Sequence, residues 1–289
     1  MELSKELMPD GLGLSCIEND CLCIMQQMDM HYQYIFYESY LNFSKIFKEF
    51  YQRHVTYEQF HAIERLQMVA EQLGYLKIHY VEEKDINQVF KNNQVCSICI
   101  DPKWLLSKFK STLLREDHYI LIEKRSEEEF HFINDTPKAE GIISKEELKE
   151  NYLQRVVYYE KTEGECNKDR DTIFKEFYQN ILKNEDTTLD FQIDDPKQMT
   201  LMLRDIIGVL RVIIRRTSKL CREIFDVQFL EDYYEYLSDI YSRIEYFRLR
   251  RKYDVNYIKS MIDDIHDADH KNQRKLCAEL KKYLKGTIQ

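Results

Sequence analysis

The chain changes character between residues 160 and 171, and this change limits the folds that it can adopt. Before it, short apolar runs such as 76–81, 118–123 and 130–135 have patterns typical of β-strands. After it, apolar residues recur at helical spacing in 171–184, 197–226, 228–252, 254–268 and 271–285. The polar stretch in between holds one of only seven glycines. The sequence therefore predicts an α+β domain over residues 1–160 and an α-helical bundle domain over residues 161–289.

Composition and charge exclude several classes of protein. A net charge of −9 and a pI near 5.5 argue against a general nucleic-acid binder. No apolar run approaches the roughly 20 residues of a membrane helix. Residues 1–6 lack the basic and apolar stretches of a signal peptide, so the eight cysteines suggest reduced thiols. We therefore expect a cytoplasmic protein.

The first chemically informative residue is Cys16, which opens a predicted helix over residues 16–28. The lead-in 11–15 holds two glycines, and the helix then shows an apolar stripe at Ile17, Cys21, Ile24, Met25 and Met28. The N-terminus of a helix stabilises a thiolate, so Cys16 is a candidate nucleophile. A purely structural role is the simpler interpretation of a lone cysteine at a helix start, and it stays open.

Residues 118–135 predict a β-hairpin whose turn is the polar stretch 124–129. If the hairpin is symmetric about the bond between residues 126 and 127, His118 lies opposite Asp135. Cross-strand Cβ atoms then approach to about 4.5–5.5 Å, which lets a carboxylate orient an imidazole. Cys16 facing this pair would be an activated thiolate.

The same register assigns two alternatives to less favourable positions. His131 is a second candidate base, but it would face Ile122 rather than an acid. Asn134 is the alternative to Asp135, and it would point to the other face of the sheet. A slip of one residue would exchange Asn134 and Asp135.

The remaining cysteines do not predict a metal site. Cys21 is rotated away from Cys16 on the helix, while Cys96 and Cys99 would point to opposite faces of a strand. We interpret them as small core residues. The acidic and histidine residues at 263–270 circle a helix, which favours surface charge. We expect neither a metal nor a cofactor.

Five short segments, in order, resemble a known family. They are 14–18 with Cys16, 98–102, 117–122 with His118, 132–137 with Asp135, and 143–148. Their order resembles papain-like cysteine enzymes and, more closely, the N-terminal domain of the butirosin biosynthesis protein H family, which is similar to cysteine peptidases that trim bacteriocin leaders. The resemblance covers roughly residues 10–155. It implies a papain-like fold, in which a helix packs on an antiparallel sheet, followed by the helical domain.

The resemblance also implies a function in natural-product biosynthesis, such as that of nonribosomal peptides or antibiotics. An acyltransferase of this kind takes an aminoacyl or peptidyl group from the phosphopantetheine thioester of a carrier protein and passes it to a small-molecule amine. Carried over, Cys16 is the nucleophile, His118 the base and Asp135 the residue that orients the base. The partners implied are an acyl or peptidyl carrier protein and the amine acceptor, with no nucleic acid and no membrane.

One departure from the pattern leaves other functions open. Papain-like peptidases have a glutamine shortly before the cysteine that completes the oxyanion hole, whereas residues 9–15 contain none and Asp10 lies near that place. This weakens a peptidase assignment more than acyl transfer from a thioester. A thioesterase or peptidase with the same triad, and a non-catalytic binding or assembly protein, are the alternatives.

A basic stretch in the predicted helix 197–226 is a possible docking face for an acidic carrier protein. Its cations are Arg204, Arg211, Arg215, Arg216, Lys219 and Arg222. A solvated helix face is the favoured interpretation of this stretch.

Overall fold

A computed structural model describes residues 3–60, 64–91, 95–110, 118–162, 167–184 and 188–286. Its contacts divide the chain into two compact units. The first comprises Met1–Tyr32 and Ile63–Asn167, and the second comprises Gln33–Ala62 and Lys168–Gln289. The contiguous division at residue 160 stays a prediction, and residues 33–62 are the segment in which it differs from these units.

The helices and strands follow one another in an α+β order. The helices are α1 Cys16–Gln27, α2 Phe43–Tyr51, α3 Tyr57–Phe60, α4 Glu64–Gln72, α5 Ile86–Val89, α6 Pro102–Phe109, α7 Lys145–Asn151, α8 Arg170–Lys183, α9 Pro196–Cys221, α10 Gln228–Arg250 and α11 Val255–Gly286. The strands are β1 Leu76–Glu82, β2 Val95–Ile100, β3 His118–Lys124, β4 Glu129–Asp135, β5 Lys138–Ser144 and β6 Tyr152–Lys161. Short 3₁₀ helices cover Lys5–Leu7 and Tyr32–Glu38.

The first unit is built on a six-stranded antiparallel sheet in the order β1-β6-β2-β3-β4-β5. One face carries a core that includes Ile98, Ile120 and Phe132, and Trp104 of α6 packs into it. Helix α1 packs against β3 and β4 and buries Cys21 and other apolar residues completely. The predicted helix at 16–28 and the α+β class are therefore confirmed, while the papain-like assignment remains a proposal.

The strands of the predicted hairpin are confirmed, but its register was wrong by one residue. Leu121 pairs with Ile133, and His131 pairs with Glu123 rather than with Ile122. The reason lies in the turn, where the N–H groups of residues 125 and 126 both donate to the carbonyl of residue 129. This closes the turn asymmetrically instead of about the bond between residues 126 and 127. His118 is therefore not directly opposite Asp135.

Two predicted helices in the second unit are in fact one. Helix α11 runs without a break from Val255 to Gly286, although the sequence suggested two segments that end at 268 and begin at 271. The polar residue at the expected break, Asp269, is buried. Its carboxylate accepts hydrogen bonds from the Phe43 N–H at 2.8 Å and the Tyr233 hydroxyl at 3.0 Å. Asp269 thus links α2, α10 and α11, and it is one of the contacts that hold α2 in this unit.

We expect Asp269→Ala to lower the free energy of unfolding by about 2–4 kcal/mol, because it leaves two buried donors without their acceptor. Urea denaturation measures this change. Asp263→Ala, at an exposed position of the same helix, is the control and should change stability by no more than about 0.5 kcal/mol. Equal effects of both variants would contradict a special role for Asp269.

Candidate functional site

Cys16 is the first residue of α1, as the sequence predicted, and capping bonds fix the chain around it. The Ser15 hydroxyl accepts a hydrogen bond from the Glu18 N–H at 3.2 Å, and the Glu18 carboxylate accepts one from the Leu14 N–H at 2.6 Å. These reciprocal bonds resemble a capping box and tie the incoming chain to the first turn. Because Glu18 is buried, this connection lies inside the unit and not on its surface.

His118, the first residue of β3, is hydrogen-bonded to Asn134 near the end of β4. The distance from His118 Nε2 to Asn134 Oδ1 is 2.6 Å. The other end of the amide, Nδ2, donates to the carbonyl of Pro137 at 2.8 Å, which fixes the amide orientation. His118 Nε2 must therefore carry the proton of this bond, and Nδ1 is left as the acceptor nitrogen of the neutral ring.

Asp135 lies close to His118 but is not hydrogen-bonded to it. Its Oδ1 is 3.7 Å from His118 Nε2, and both side chains are about nine-tenths buried. Its Oδ2 accepts a hydrogen bond from Asn19 Nδ2 of α1 at 2.9 Å. The structure thus brings the two predicted residues together, yet the hydrogen bond that orients the ring comes from Asn134, the alternative that the register had directed away.

The thiol of Cys16 is held beside the start of β3. The N–H groups of Tyr119 and Ile17 donate hydrogen bonds to its sulfur, which favours the thiolate. Burial opposes this most strongly, followed by the negative charges of Asp135 and Asp20, and the net effect raises the pKa of the Cys16 thiol well above its usual range. This is the opposite of the lowered pKa expected for an activated thiolate, so the resting side chain is a neutral thiol.

Cys16 and His118 are thus neighbours through the Tyr119 backbone, since Tyr119 directly follows His118. Among the described residues, no hydrogen bond joins the Cys16 thiol to the His118 ring. The second candidate base, His131, lies 3.8 Å from Glu140 and 4.0 Å from Glu123 in another part of the sheet.

Two residues of α1 that the sequence reasoning missed also belong to this site. Asn19 binds Asp135, and Asp20 accepts a hydrogen bond from the Ser97 hydroxyl of β2 at 2.6 Å. Burial raises the pKa of Asp20 well above its usual range. Asn19 lies three residues after Cys16, which places both on one face of a helix. That spacing is the signal that could have identified Asn19.

Asp10, which lies near the place where papain-like peptidases have a glutamine, is exposed. Its carboxylate lies 3.1 Å from Lys138 Nζ. An acid held in an ion pair is not an oxyanion donor. Within the described ranges, no three or more His, Cys, Asp or Glu side chains are grouped as they would be to hold a metal ion.

The basic stretch of α9 is only partly a surface feature. Arg216 is buried, and its guanidinium lies 5.5 Å from the centre of the Phe36 ring. The guanidinium of Arg211 lies 5.2 Å from the ring of Tyr234 and 5.1 Å from that of Tyr241. Arg216 is therefore unsuited to docking a partner, and Arg211 is engaged by aromatic rings of α10.

The chain matches no protein-family model and no curated protein. In the part of the chain that the structure describes, no helix combines the length and the apolar character needed to cross a membrane.

We expect Cys16 to react slowly with iodoacetamide in the native protein. A raised pKa lowers the thiolate fraction, about tenfold for each pH unit, so Cys16 should be alkylated at least about tenfold more slowly at pH 7 than in the urea-unfolded chain. Peptide mapping by mass spectrometry at several pH values distinguishes Cys16 from the other cysteines. If the pH midpoint of Cys16 alkylation is lower in the native protein than in the unfolded chain, the thiolate is instead preformed.

Proposed function

We propose that the first unit catalyses cysteine-dependent acyl transfer, with Cys16 as the nucleophile and His118 as the base. The observation that carries this proposal is the hydrogen bond between His118 Nε2 and Asn134 Oδ1 at 2.6 Å. It fixes the ring tautomer so that Nδ1 can accept a proton. The Cys16 sulfur, hydrogen-bonded to the Tyr119 amide, lies next to the backbone of that base.

In the proposed reaction, His118 Nδ1 takes the thiol proton as the Cys16 sulfur attacks the carbonyl carbon of a thioester. The C–S bond of the donor then breaks, the acyl group stays on Cys16, and the departing thiolate receives the proton from His118. An amine next attacks the acyl-enzyme, and His118 takes the amine proton. The new C–N bond forms, the bond to Cys16 breaks, and the sulfur regains its proton.

The raised pKa of the Cys16 thiol decides how this proton moves. Because the free thiolate is disfavoured, transfer of the proton as the new bond forms avoids a high-energy ion pair. The backbone N–H of Cys16, at the positive end of α1, is the candidate donor to the oxyanion. A thioester carbonyl is more electrophilic than an amide carbonyl, so a donor of this kind suits a site without a glutamine before the cysteine.

The donor and the acceptor come from the family resemblance. They are an aminoacyl or peptidyl group on the phosphopantetheine of a carrier protein and an amine on a natural-product intermediate. Hydrolysis by the same residues, as a thioesterase or peptidase, differs only in whether water or an amine reaches the acyl-enzyme.

A second candidate function is non-catalytic binding by a protein that retains the fold. The observation in its favour is the unactivated thiol of Cys16, because desolvation and two neighbouring acids raise its pKa. Such a protein would carry Cys16 as a structural residue. Exposing the protein to an acyl thioester distinguishes acyl transfer from non-catalytic binding.

Brief incubation with acyl-pantetheine thioesters should add one acyl group to the wild-type protein, and intact-protein mass spectrometry detects this adduct. Cys16→Ala should lose the adduct, because it removes the nucleophile. Cys277→Ala should retain it, and it is the matched control since Cys277 is the other partly exposed cysteine among the described residues. Adding an amine or only water to the acyl-enzyme then separates transfer from hydrolysis.

No adduct on the folded wild-type protein with any donor would favour the non-catalytic function. An adduct that persists in Cys16→Ala would mean that another cysteine reacts.

Replacing Asn134 should slow formation of the acyl-enzyme more than replacing Asp135 does. Asn134→Leu keeps the shape of the side chain but frees the His118 ring, so we expect a loss of about 10²-fold in acylation rate. Asp135→Asn keeps a polar side chain at a position that is not hydrogen-bonded to His118. The acylation rate of this variant should therefore stay within about tenfold of wild type. Quenched-flow mass spectrometry gives both rates. The reverse order would identify Asp135 as the residue that orients the base.

A further inference from the structure

The side chain of Asn19 fills a narrow space between the loop before α1 and the end of β4. Its Nδ2 donates to Asp135 Oδ2 at 2.9 Å. On its other side lies Gly13, where an added Cβ would be 2.1 Å from Asn19 Oδ1 and 2.5 Å from Asn19 Cγ. A residue other than glycine at position 13 would therefore displace the amide. Gly13 is required here for close approach of the amide to the backbone.

This contact has a cost, which indicates that packing holds it in place. Asn19 Oδ1 and Asp135 Oδ1 are both buried and have no hydrogen-bond partner among the described residues. Leaving such atoms unpaired is unfavourable, and sites that tolerate it often have a functional reason. Over the same described residues, the one hydrogen bond to the Asp135 carboxylate comes from Asn19.

We propose that Asn19 is a positioning residue that holds the Asp135 carboxylate away from hydrogen bonding with His118 and sets the negative charge beside Cys16. This inference rests on the proposed function in that Cys16, His118 and Asp135 form one centre. Asn19 keeps Asp135 Oδ1 at 3.7 Å from His118 Nε2, so the ring stays bound to Asn134. The two adjacent residues of β4 thereby take different parts: Asn134 orients the ring, and Asp135 provides a fixed charge.

The groups that act on the Cys16 thiol come from three elements. Asp135 of β4 and Asp20 of α1 raise its pKa, while the N–H groups of Tyr119 in β3 and Ile17 in α1 lower it. His118 of β3 precedes Tyr119. The Asn19 N–H donor offsets part of the Asp135 charge, so removing that donor increases the negative potential at the sulfur. The thiol should then ionise at higher pH.

A double-mutant cycle on Cys16 alkylation tests this inference. Asn19→Leu keeps the branched shape without a donor or a charge. We expect it to move the pH midpoint of alkylation upward by about half a unit, which lowers the alkylation rate at a fixed pH roughly threefold. Asp135→Asn should move the midpoint downward. In the Asp135→Asn background, Asn19→Leu should produce no further shift, because the charge through which it acts is gone.

Two further variants keep the test decisive. Asn87→Ala removes another asparagine–aspartate bond of the first unit, from Asn87 Nδ2 to Asp85 Oδ1 at 2.8 Å, and should leave the Cys16 profile unchanged. Gly13→Ala displaces the Asn19 amide without removing it and should shift the midpoint in the same direction as Asn19→Leu, which covers the case that Asn19→Leu does not fold. Circular dichroism confirms folding of each variant.

An equal shift from Asn19→Leu in both backgrounds, or no shift from a folded Asn19→Leu or Gly13→Ala protein, would overturn the inference. Alkylation needs no acyl donor, so this result is independent of the acyl-adduct experiment. If no acyl adduct forms but the double-mutant cycle gives the expected shifts in alkylation, the proposed function is overturned and the role of Asn19 stays in place.

Discussion

The arrangement of the first unit depends on a buried polar contact between α1 and the centre of the sheet. The Ser97 hydroxyl donates to Asp20 at 2.6 Å, and the Tyr159 hydroxyl lies 2.6 Å from the same Ser97 oxygen. Burial penalises a carboxylate ion, and it raises the pKa of Asp20 well above its usual range, while the Ser97 hydroxyl offsets part of that penalty. The three side chains join α1, β2 and β6, and they fix which turn of the helix lies over which strand. Apolar packing alone would allow α1 to slide.

With α1 held over the sheet by this contact, the candidate site lies at the ends of two strands. Alternation along β3 and β4 directs His118 and Asn134 to the face that carries Ile120 and Phe132, whereas Asp135 belongs to the face covered by α1. Groups on opposite faces of a sheet are normally separated by the backbone. At the first residue of β3 and the last of β4 this separation ends, so Asp135 reaches Asn19 on one side and comes to 3.7 Å from His118 on the other.

The sequence was sufficient to predict the elements that carry strong periodicity, and it failed where burial hides the pattern. Helix α1 and strands β1 to β4 follow from their apolar spacing. The register of β3 with β4 did not follow from the sequence, because both strands are buried on both faces and alternation cannot distinguish a slip of one residue.

Strands β5 and β6 went unpredicted because polar and charged residues interrupt them, and their place in the sheet depends on pairing with distant strands. The periodicity suggested two helices, over 254–268 and 271–285, because the buried partners of Asp269 between them lie far away in the sequence.

The electrostatics of Cys16 connect the structure to the choice of substrate in the proposed function. A preformed thiolate would attack a weakly activated carbonyl, but here burial and two acids favour the neutral thiol. In the proposed reaction, proton transfer to His118 would accompany bond formation, and the barrier would depend more on the electrophilicity of the donor. A thioester supplies that electrophilicity, whereas an amide would need a stronger oxyanion hole than one helix N-terminus provides. In the same proposed reaction Asp135, fixed by Asn19, would compensate in the transition state, since the charge that opposes the thiolate would also stabilise an imidazolium formed on His118.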